Sequence, residues 1–357
     1  MQKIENKNLK FQRNINLYKI KEDNYIPDNF YITTNYPTYL YYEDKCYFLK
    51  SIRKNCAVVL KNDEFEVKSI RNIKKDDEIV LSTTEDGTEG VFVDFNLLND
   101  FKNMNLFTYE SDINKEYDKL IDRLIYEKNN DGYIVWILGP SVIFDYDTRN
   151  ALENLARNGY INCVFAGNAM ATHDIEGGYL NTALGQNIYT QENVFNGHYN
   201  HLDLLNEVRR SGSIKNFIDE GNVKNGFMKT LVEENIPYVL AGSIRDDGPL
   251  PDVYADMNKA LDEKERYLEK ASLVIGLATM LHNSSTISIM PSYKYIKEEI
   301  KPIYFYGVDI TTNVLFQLSN IRDHLAFVPF ITNVQDFVVN INRRLEEKEV
   351  GFDERDS

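Results

Sequence analysis

The stretch IPYVLAGSIRDDGPLPDV, residues 236–253, decides the fold of this chain. Ile236 to Leu240 is a short apolar run that reads as a buried strand, and the Gly, Ser, Arg and paired Asp behind it read as a strand-end loop. In open α/β sheets ligands bind beyond the carboxyl ends of the strands. Gly242, Ser243, Arg245, Asp246 and Asp247 would therefore stand where a cofactor or substrate stands. A polar turn accounts for Gly248, Pro249 and Pro251, but not for an Arg and two carboxylates directly after a buried strand.

The same pattern of apolar run and small-residue loop recurs on both sides. Tyr133 to Leu138 precedes Gly139, Pro140 and Ser141; Ile161 to Phe165 precedes Ala166, Gly167 and Asn168. Leu273 to Leu277 precedes Ala278 and Thr279, and Ile303 to Val308 precedes Asp309. Between these five candidate strands lie helices such as Thr148 to Asn158, closed by Gly159, and Leu202 to Arg210, closed by Gly212. Alternation of this kind predicts a parallel sheet covered on both faces. Upstream, Tyr117, Leu120, Ile121, Leu124 and Ile125 share one helix face and mark the start of this domain.

Residues 25 to about 95 carry short runs of Tyr, Ile, Val and Phe separated by turn signals such as Asn62-Asp63 and Asp86-Gly87, which predicts a small β-rich domain. Within it FYITTNYPT (30–38) offers hydroxyls and amides that suit a turn better than a ligand. The expected division is 1–114 for the β-rich domain with a basic arm, 115–348 for the α/β domain, and 349–357 for an acidic tail. The arm and the tail both read as solvated, and residues 96 to 114 as a polar connection.

Composition excludes several classes of function. The chain has 357 residues, 43% hydrophobic, with 40 Lys and Arg against 55 Asp and Glu for a net charge of −15. That balance repels nucleic acid and anionic membrane surfaces. Cys46, Cys56 and Cys163 form no Cys-x-x-Cys pair, which argues against a disulfide framework or a cysteine zinc site and for a reducing cytoplasm. The most apolar run, Tyr133 to Phe144, is too short to span a bilayer. No metal is called for, since the His-x-x-His of His198 and His201 at a helix start reads as a capping or packing feature. His173 follows a strand-end loop beside Asp174 and Glu176, carboxylates suited to support a proton-transfer imidazole. Asp309 matches the strand-end acid that binds a ribose hydroxyl, and equally an N-cap or turn acid. No G-x-G-x-x-G occurs, so a nucleotide would be held without the usual glycine fingerprint.

AGSIRDDGPLPDV, with AGNAMATHDIE (166–176), GHYNHLDLLNEVRRSGSI (197–214) and LATMLHNSS (277–285), resembles the archaeal-type ornithine cyclodeaminase family. That family was earlier known as the conserved region of LOR/SDH bifunctional enzymes, and it is similar to the carboxyl-terminal part of cyanobacterial arginine dihydrolase fusions. FYITTNYPT and NCAVVL (55–60) resemble its β domain, so the likeness runs from about residue 24 to 340. It implies a Rossmann-like domain of the deoxyhypusine synthase type that binds NAD. The implied contacts fall on Asn168 and Ala169, on Asp247, on Thr279, Met280, Leu281 and His282, and on Asp309, Asn333 and Val334. It also implies conversion of L-ornithine to L-proline and ammonia, by hydride loss from the α-carbon, closure of the imine and hydride return. A cytoplasmic homo-oligomer is expected. Arg245 suits the substrate carboxylate, Asp247 the nicotinamide ribose or the amine, and His173 the protons.

Departures from the family pattern are local. Asn333 stands where the family has Asp, and Thr286, Ile287, Ser288, Ile289, Met290 and Pro291 replace Thr-Gly-Asn-Leu-Leu-Pro, removing an Asn from an expected active-site loop. The amino-terminal subdomain of longer members is expected to be missing or reduced to the basic arm. The alternatives are an NAD-dependent amino-acid dehydrogenase, a cyclodeaminase for another diamino acid such as lysine, and a catalytically degenerate NAD-binding sensor.

Overall fold

The computed structural model describes residues 9–102 and 113–353, with side chains to 348. The chain forms two compact units. One comprises the described part of Met1–Met104 with Ile287–Ile303 and Ser319–Phe327; the other takes in the described part of Asn105–Thr286, Tyr304–Leu318 and Val328–Ser357. Residues 287–303 and 319–327, expected from the linear sequence in the α/β domain, belong instead to the β-rich unit.

The β-rich unit holds an antiparallel four-stranded sheet in the order Asn16–Lys19, Glu78–Leu81, Cys56–Lys61, Glu64–Ser69, and a three-stranded sheet with Thr38–Tyr42 at its centre. Asn62 and Asp63 both adopt positive φ between Cys56–Lys61 and Glu64–Ser69, as a two-residue hairpin turn requires. Lys297 and Glu298 do the same between Tyr293–Ile296 and Glu299–Pro302. Residue types there carry no turn signal, which is why that hairpin is illegible in the sequence. Part of the basic arm is a strand rather than a solvated tail: Asn16–Lys19 pairs with Glu78–Leu81, and Lys19 meets Asp76 at 3.2 Å. In FYITTNYPT the polar groups turn inward as expected of a turn. Thr33 donates to the Arg53 carbonyl and Asn35 to Asp323 at 2.8 Å.

The second unit is the parallel sheet. Its strands are β1 (Ile134–Leu138), β2 (Cys163–Gly167), β3 (Tyr238–Ala241), β4 (Leu273–Leu277), β5 (Tyr304–Asp309) and β6 (Phe327–Ile331), in spatial order β3-β2-β1-β4-β5-β6. This is the doubly wound order, in which the strand sequence reverses between β1 and β4. Every residue of β1 and of β4 is buried, as a sheet covered on both faces demands. The five expected strands are all present. The sixth, FVPFI, is masked in the sequence by Pro329; at the end of the sheet a missing backbone N–H is tolerated.

Helices of this unit include α1 (Ile113–Asn129), α2 (Tyr146–Arg157), α3 (Asn168–Leu180), α4 (Asn200–Ser211), α5 (Ile214–Asp219), α6 (Phe227–Glu233) and α7 (Met257–Leu268). After them come α8 (Met280–Ile289) and α9 (Thr312–Ile321), whose last three residues each fall in the β-rich unit, and α10 (Val334–Asp353). Tyr117, Leu120, Ile121 and Leu124 of α1 are buried as their spacing predicts. Gly159 (φ 77°) and Gly212 (φ 82°) lie in the left-handed region behind α2 and α4. Because α10 runs to Asp353, the first five residues of the expected acidic tail are helical. Thr286–Ile289, expected in a loop, is the last turn of α8. Residues 103–112 of the expected connection lie outside the described residues.

One core residue of this unit is a lysine. Lys264 of α7 is buried with its ammonium over the Phe165 ring, 5.4 Å from the centroid, and burial pushes its pKa down to about 8. In the unfolded chain it titrates at 10.5, so both states are charged below pH 8 and the folded state carries the whole penalty there. Stability contributed at this site rises as pH climbs from about 8 to 10.5. Lys264→Met is expected to stabilise the protein at pH 7 by about 1–3 kcal/mol, an advantage that fades toward pH 10.5. Urea melts of both proteins across that range check it; a constant difference would refute the titration.

Candidate active site at the carboxyl ends of the sheet

The two strands flanking the topological reversal come together at their carboxyl ends. A Cβ on Gly139, after β1, would lie 2.2 Å from the carbonyl oxygen of Ala278, after β4, and Ala278 itself holds a left-handed φ of 46°. Strain at a non-glycine residue beside a strand end is a mark of functional sites. On the far side of β1, β2 runs into α3 without an intervening loop. Gly167 is the N-cap and no side chain caps the helix, which leaves amide groups of its first turn for a ligand. Gly167 is needed here because a Cβ would come 2.9 Å from Nε2 of His282, in the first turn of α8. Burial, with Lys264 adding to it, holds the His282 pKa down at about 4, so this imidazole is neutral at pH 7.

Helix α3 is buried on nearly every side, and its polar residues divide by direction. His173 and Glu176, three residues apart, share a face, and His173 Nδ1 lies 2.9 Å from Glu176 Oε2. Glu176 also accepts from the Thr182 hydroxyl at 2.6 Å, and Thr182 accepts from the Asn200 amide at 2.8 Å. Asp174 points the other way. It accepts from Arg149 Nε at 2.8 Å and from the amides of Phe227 and Met228 at 3.2 and 2.7 Å. Of the two carboxylates expected to support His173, only Glu176 does so, because adjacent helical residues diverge by about 100°.

The loop after β3 is pinned at its base. Gly242 donates to Tyr254, Tyr254 to Leu240, and the Leu250 amide to Asn168 Oδ1 at 2.9 Å. Inside it Asp246 Oδ2 accepts from the Ser243 amide at 2.8 Å. Asp247 instead faces His201, its Oδ2 3.3 Å from Nε2. The ring of His201, at the start of α4, lies 6.2 Å from that of His173, centroid to centroid. Arg245 is exposed at the loop tip with Ile244.

Asn168, Asp247 and His173 are thus gathered around one loop, with Ala169 next to Asn168. On the other side of the reversal, Thr279 accepts from the His282 amide at 3.4 Å, and Met280 and Leu281 are exposed beside it. Asp309 uses one oxygen on the Thr311 amide at 2.8 Å. Exposed Ile310 and Ile331 follow β5 and end β6. Asn333 caps α10 by accepting from Gln335 at 2.8 Å, and the Val334 side chain is packed in the core, so only its backbone is offered to a ligand. His198 stands apart from the cluster, its ring on Tyr199 at 4.2 Å. Among the described residues no three His, Cys, Asp or Glu side chains converge on a metal position, and no helix is long and apolar enough to cross a membrane.

Thr182 and Asn200 carry no signal in the sequence, and His201 reads there as a capping or packing feature. His201 sits where a cap is expected, and its carboxylate partner is 46 residues away. The His173–Glu176 pair, by contrast, was open to inference from helical spacing alone.

A doubly wound sheet with open strand ends, and an uncapped helix after the strand next to its reversal point, defines a Rossmann-type domain. Residues 118–340 match the family model of the carboxyl-terminal, Rossmann-fold part of ArgZ-like arginine dihydrolases. The ornithine cyclodeaminase of Methanocaldococcus jannaschii is 36% identical over 96% of this chain and 80% of its own length. The chain belongs to the ornithine cyclodeaminase family of archaea, with the ArgZ-like carboxyl-terminal domain. Its backbone is similar to that of a LOR/SDH protein from Methanococcus maripaludis, with a TM-score of 0.82 and 32% identity over 94% of this chain and 99% of the other. It is also similar to AgrE in ternary complex with ornithine and NAD+, with a TM-score of 0.59 and 26% identity over 97% of this chain and 47% of AgrE.

Proposed function

We propose that this chain is an ornithine cyclodeaminase that uses NAD to convert L-ornithine to L-proline and ammonia. The observation that carries the proposal is a carboxylate-backed imidazole, His173 on Glu176, at the carboxyl edge of a sheet whose relative AgrE binds ornithine and NAD+. Residues at the strand ends fit a dinucleotide. The uncapped amides of α3 at Asn168 and Ala169 suit a pyrophosphate, and the second oxygen of Asp309 suits a ribose hydroxyl. Thr279, Met280, Leu281 and neutral His282 offer an apolar and uncharged surface for a ring, with Asn333 and the Val334 backbone at the edge. NAD, when bound, supplies a hydride acceptor that gives the hydride back, so the net reaction is not a redox change.

The chain's own residues bind and move protons. Arg245 pairs with the substrate carboxylate in a two-point contact. His173, held with Nδ1–H on Glu176, presents Nε2 as a base for a substrate nitrogen. Asp247 orients the reacting amine through its place beside His201. Incubation with L-ornithine is expected to yield proline and ammonia in equal amounts with no net NADH. Mass spectrometry and absorbance read both, with lysine and 2,4-diaminobutyrate as comparison substrates. Proline formation by protein stripped of NAD would sink the proposal, and stoichiometric NADH would make the chain a dehydrogenase.

A further inference from the structure

We infer that His173 and His201 act as an acid–base pair on the two nitrogens of one substrate carbon, with His201 giving the proton to the departing amine. The inference rests on the cyclodeaminase proposal and adds a residue to it. Its ground is geometric. Each imidazole has one nitrogen on a carboxylate, His173 Nδ1 on Glu176 at 2.9 Å and His201 Nε2 on Asp247 at 3.3 Å. Such a partner fixes the tautomer and turns the other nitrogen free, here Nε2 of His173 and Nδ1 of His201. Among the described residues neither free nitrogen has a hydrogen-bond partner, and the rings lie 6.2 Å apart at 56°. The two supports are also joined: Asn200, beside His201, reaches Glu176 through Thr182.

Cyclisation gives the α-carbon two nitrogens. The ring nitrogen must lose a proton and the exocyclic nitrogen must gain one before the exocyclic C–N bond can break. In that step the ring nitrogen's proton passes to Nε2 of His173, and the proton on Nδ1 of His201 passes to the exocyclic nitrogen. The electron pair of the breaking bond leaves with ammonia, and the lone pair on the ring nitrogen forms the C=N bond. His173 afterwards returns its proton to the ring nitrogen of the product, and His201 is recharged from the δ-ammonium of the next substrate.

Exposure decides which ring serves which nitrogen. Glu176 is fully buried, whereas the Asp247 side chain is 69% exposed. A donor whose proton departs with each product needs contact with water and substrate ammonium, and His201 with Asp247 has it. A base that hands the proton it has taken back to the same molecule is better sealed, as His173 is on Glu176.

The test uses NAD-loaded protein mixed rapidly with ornithine. His201→Ala is expected to form reduced nicotinamide in the first turnover at close to the native rate and to release ammonia about a hundredfold more slowly. Added imidazole is expected to restore ammonia release. His201→Gln, which keeps a side-chain N–H for Asp247, should behave the same way and stands in if the alanine variant does not fold. Ammonia release by these variants within about threefold of native, far short of the loss expected for a proton-transfer group, overturns the inference while the cyclodeaminase proposal stands. So does equal loss of reduced nicotinamide and ammonia. A native protein that makes neither proline nor ammonia fails the underlying proposal instead.

Discussion

Asp247→Asn is expected to lower turnover on ornithine by about a hundredfold or more, the scale lost with one positioned charge-stabilising group. Its stability should hardly change. The Asp247 side chain is 69% exposed, and its single contact is the 3.3 Å approach to His201, an arrangement that contributes little to folding. The amide keeps the volume and can still offer an oxygen to Nε2, but it has no charge with which to stabilise an imidazolium. Asp246→Asn is the internal control. Asp246 accepts from the Ser243 amide and so shapes the loop rather than facing the imidazoles, and an amide oxygen can take over that acceptor role. Its turnover should stay within about threefold of native, as expected when a turn acceptor is replaced by another. Steady-state proline formation with melting curves checks both. Loss in the Asp246 variant with normal activity in the Asp247 variant would reverse the assignment, and normal activity in both would remove this loop from the chemistry.

Asp174→Ala is expected to cost about 3–5 kcal/mol of folding stability, the range for breaking a sealed ion pair from one side. Arg149 and Asp174 are both almost fully buried, at 2.8 Å, and Arg149 is further held by the Asp174 and Asn225 carbonyls at 3.0 and 3.3 Å. Backbone closes around the pair. A Cβ on Gly177 would meet the guanidinium carbon at 3.0 Å, and one on Gly226 would meet Arg149 Nη2 at 2.5 Å. With the carboxylate gone the guanidinium is left uncompensated and the amides of Phe227 and Met228 lose their acceptor. The pair thereby ties α2 and the start of α6 to α3, the helix that carries His173. Urea denaturation measures the loss. Arg149→Met combined with Asp174→Leu should recover a large part of it, since an apolar pair leaves no buried charge. A loss below about 1 kcal/mol in Asp174→Ala would mean that water reaches the guanidinium, contrary to its burial.

These two carboxylates show how far residue type carries without geometry. Asp174 and Asp247 are both acids beside a strand-end motif, and in sequence each is a candidate for the site. Asp174 becomes a strut because the residue one step along a helix from His173 is turned about 100° away from it, toward Arg149. Asp247 faces His201 instead, beside an Asp246 that is bonded to the Ser243 amide.

What the sequence determined by itself is what depends on neighbours along the chain. Apolar runs of strand length ending in Gly, Ala or Asp marked β1 to β5, the spacing of Tyr117, Leu120, Ile121 and Leu124 marked the buried face of α1, and Gly159 and Gly212 marked the ends of α2 and α4. Each is a local preference of backbone or period, complete within one or two turns of chain. The tertiary structure alone decided the strand order, the sixth strand with its Pro329, the return of 287–303 and 319–327 to the β-rich unit, and the meeting of His201 with Asp247 across 46 residues. Those outcomes follow from which buried surfaces cover one another and from which loops the pairing of β2 with β3 brings side by side, quantities that no local window contains.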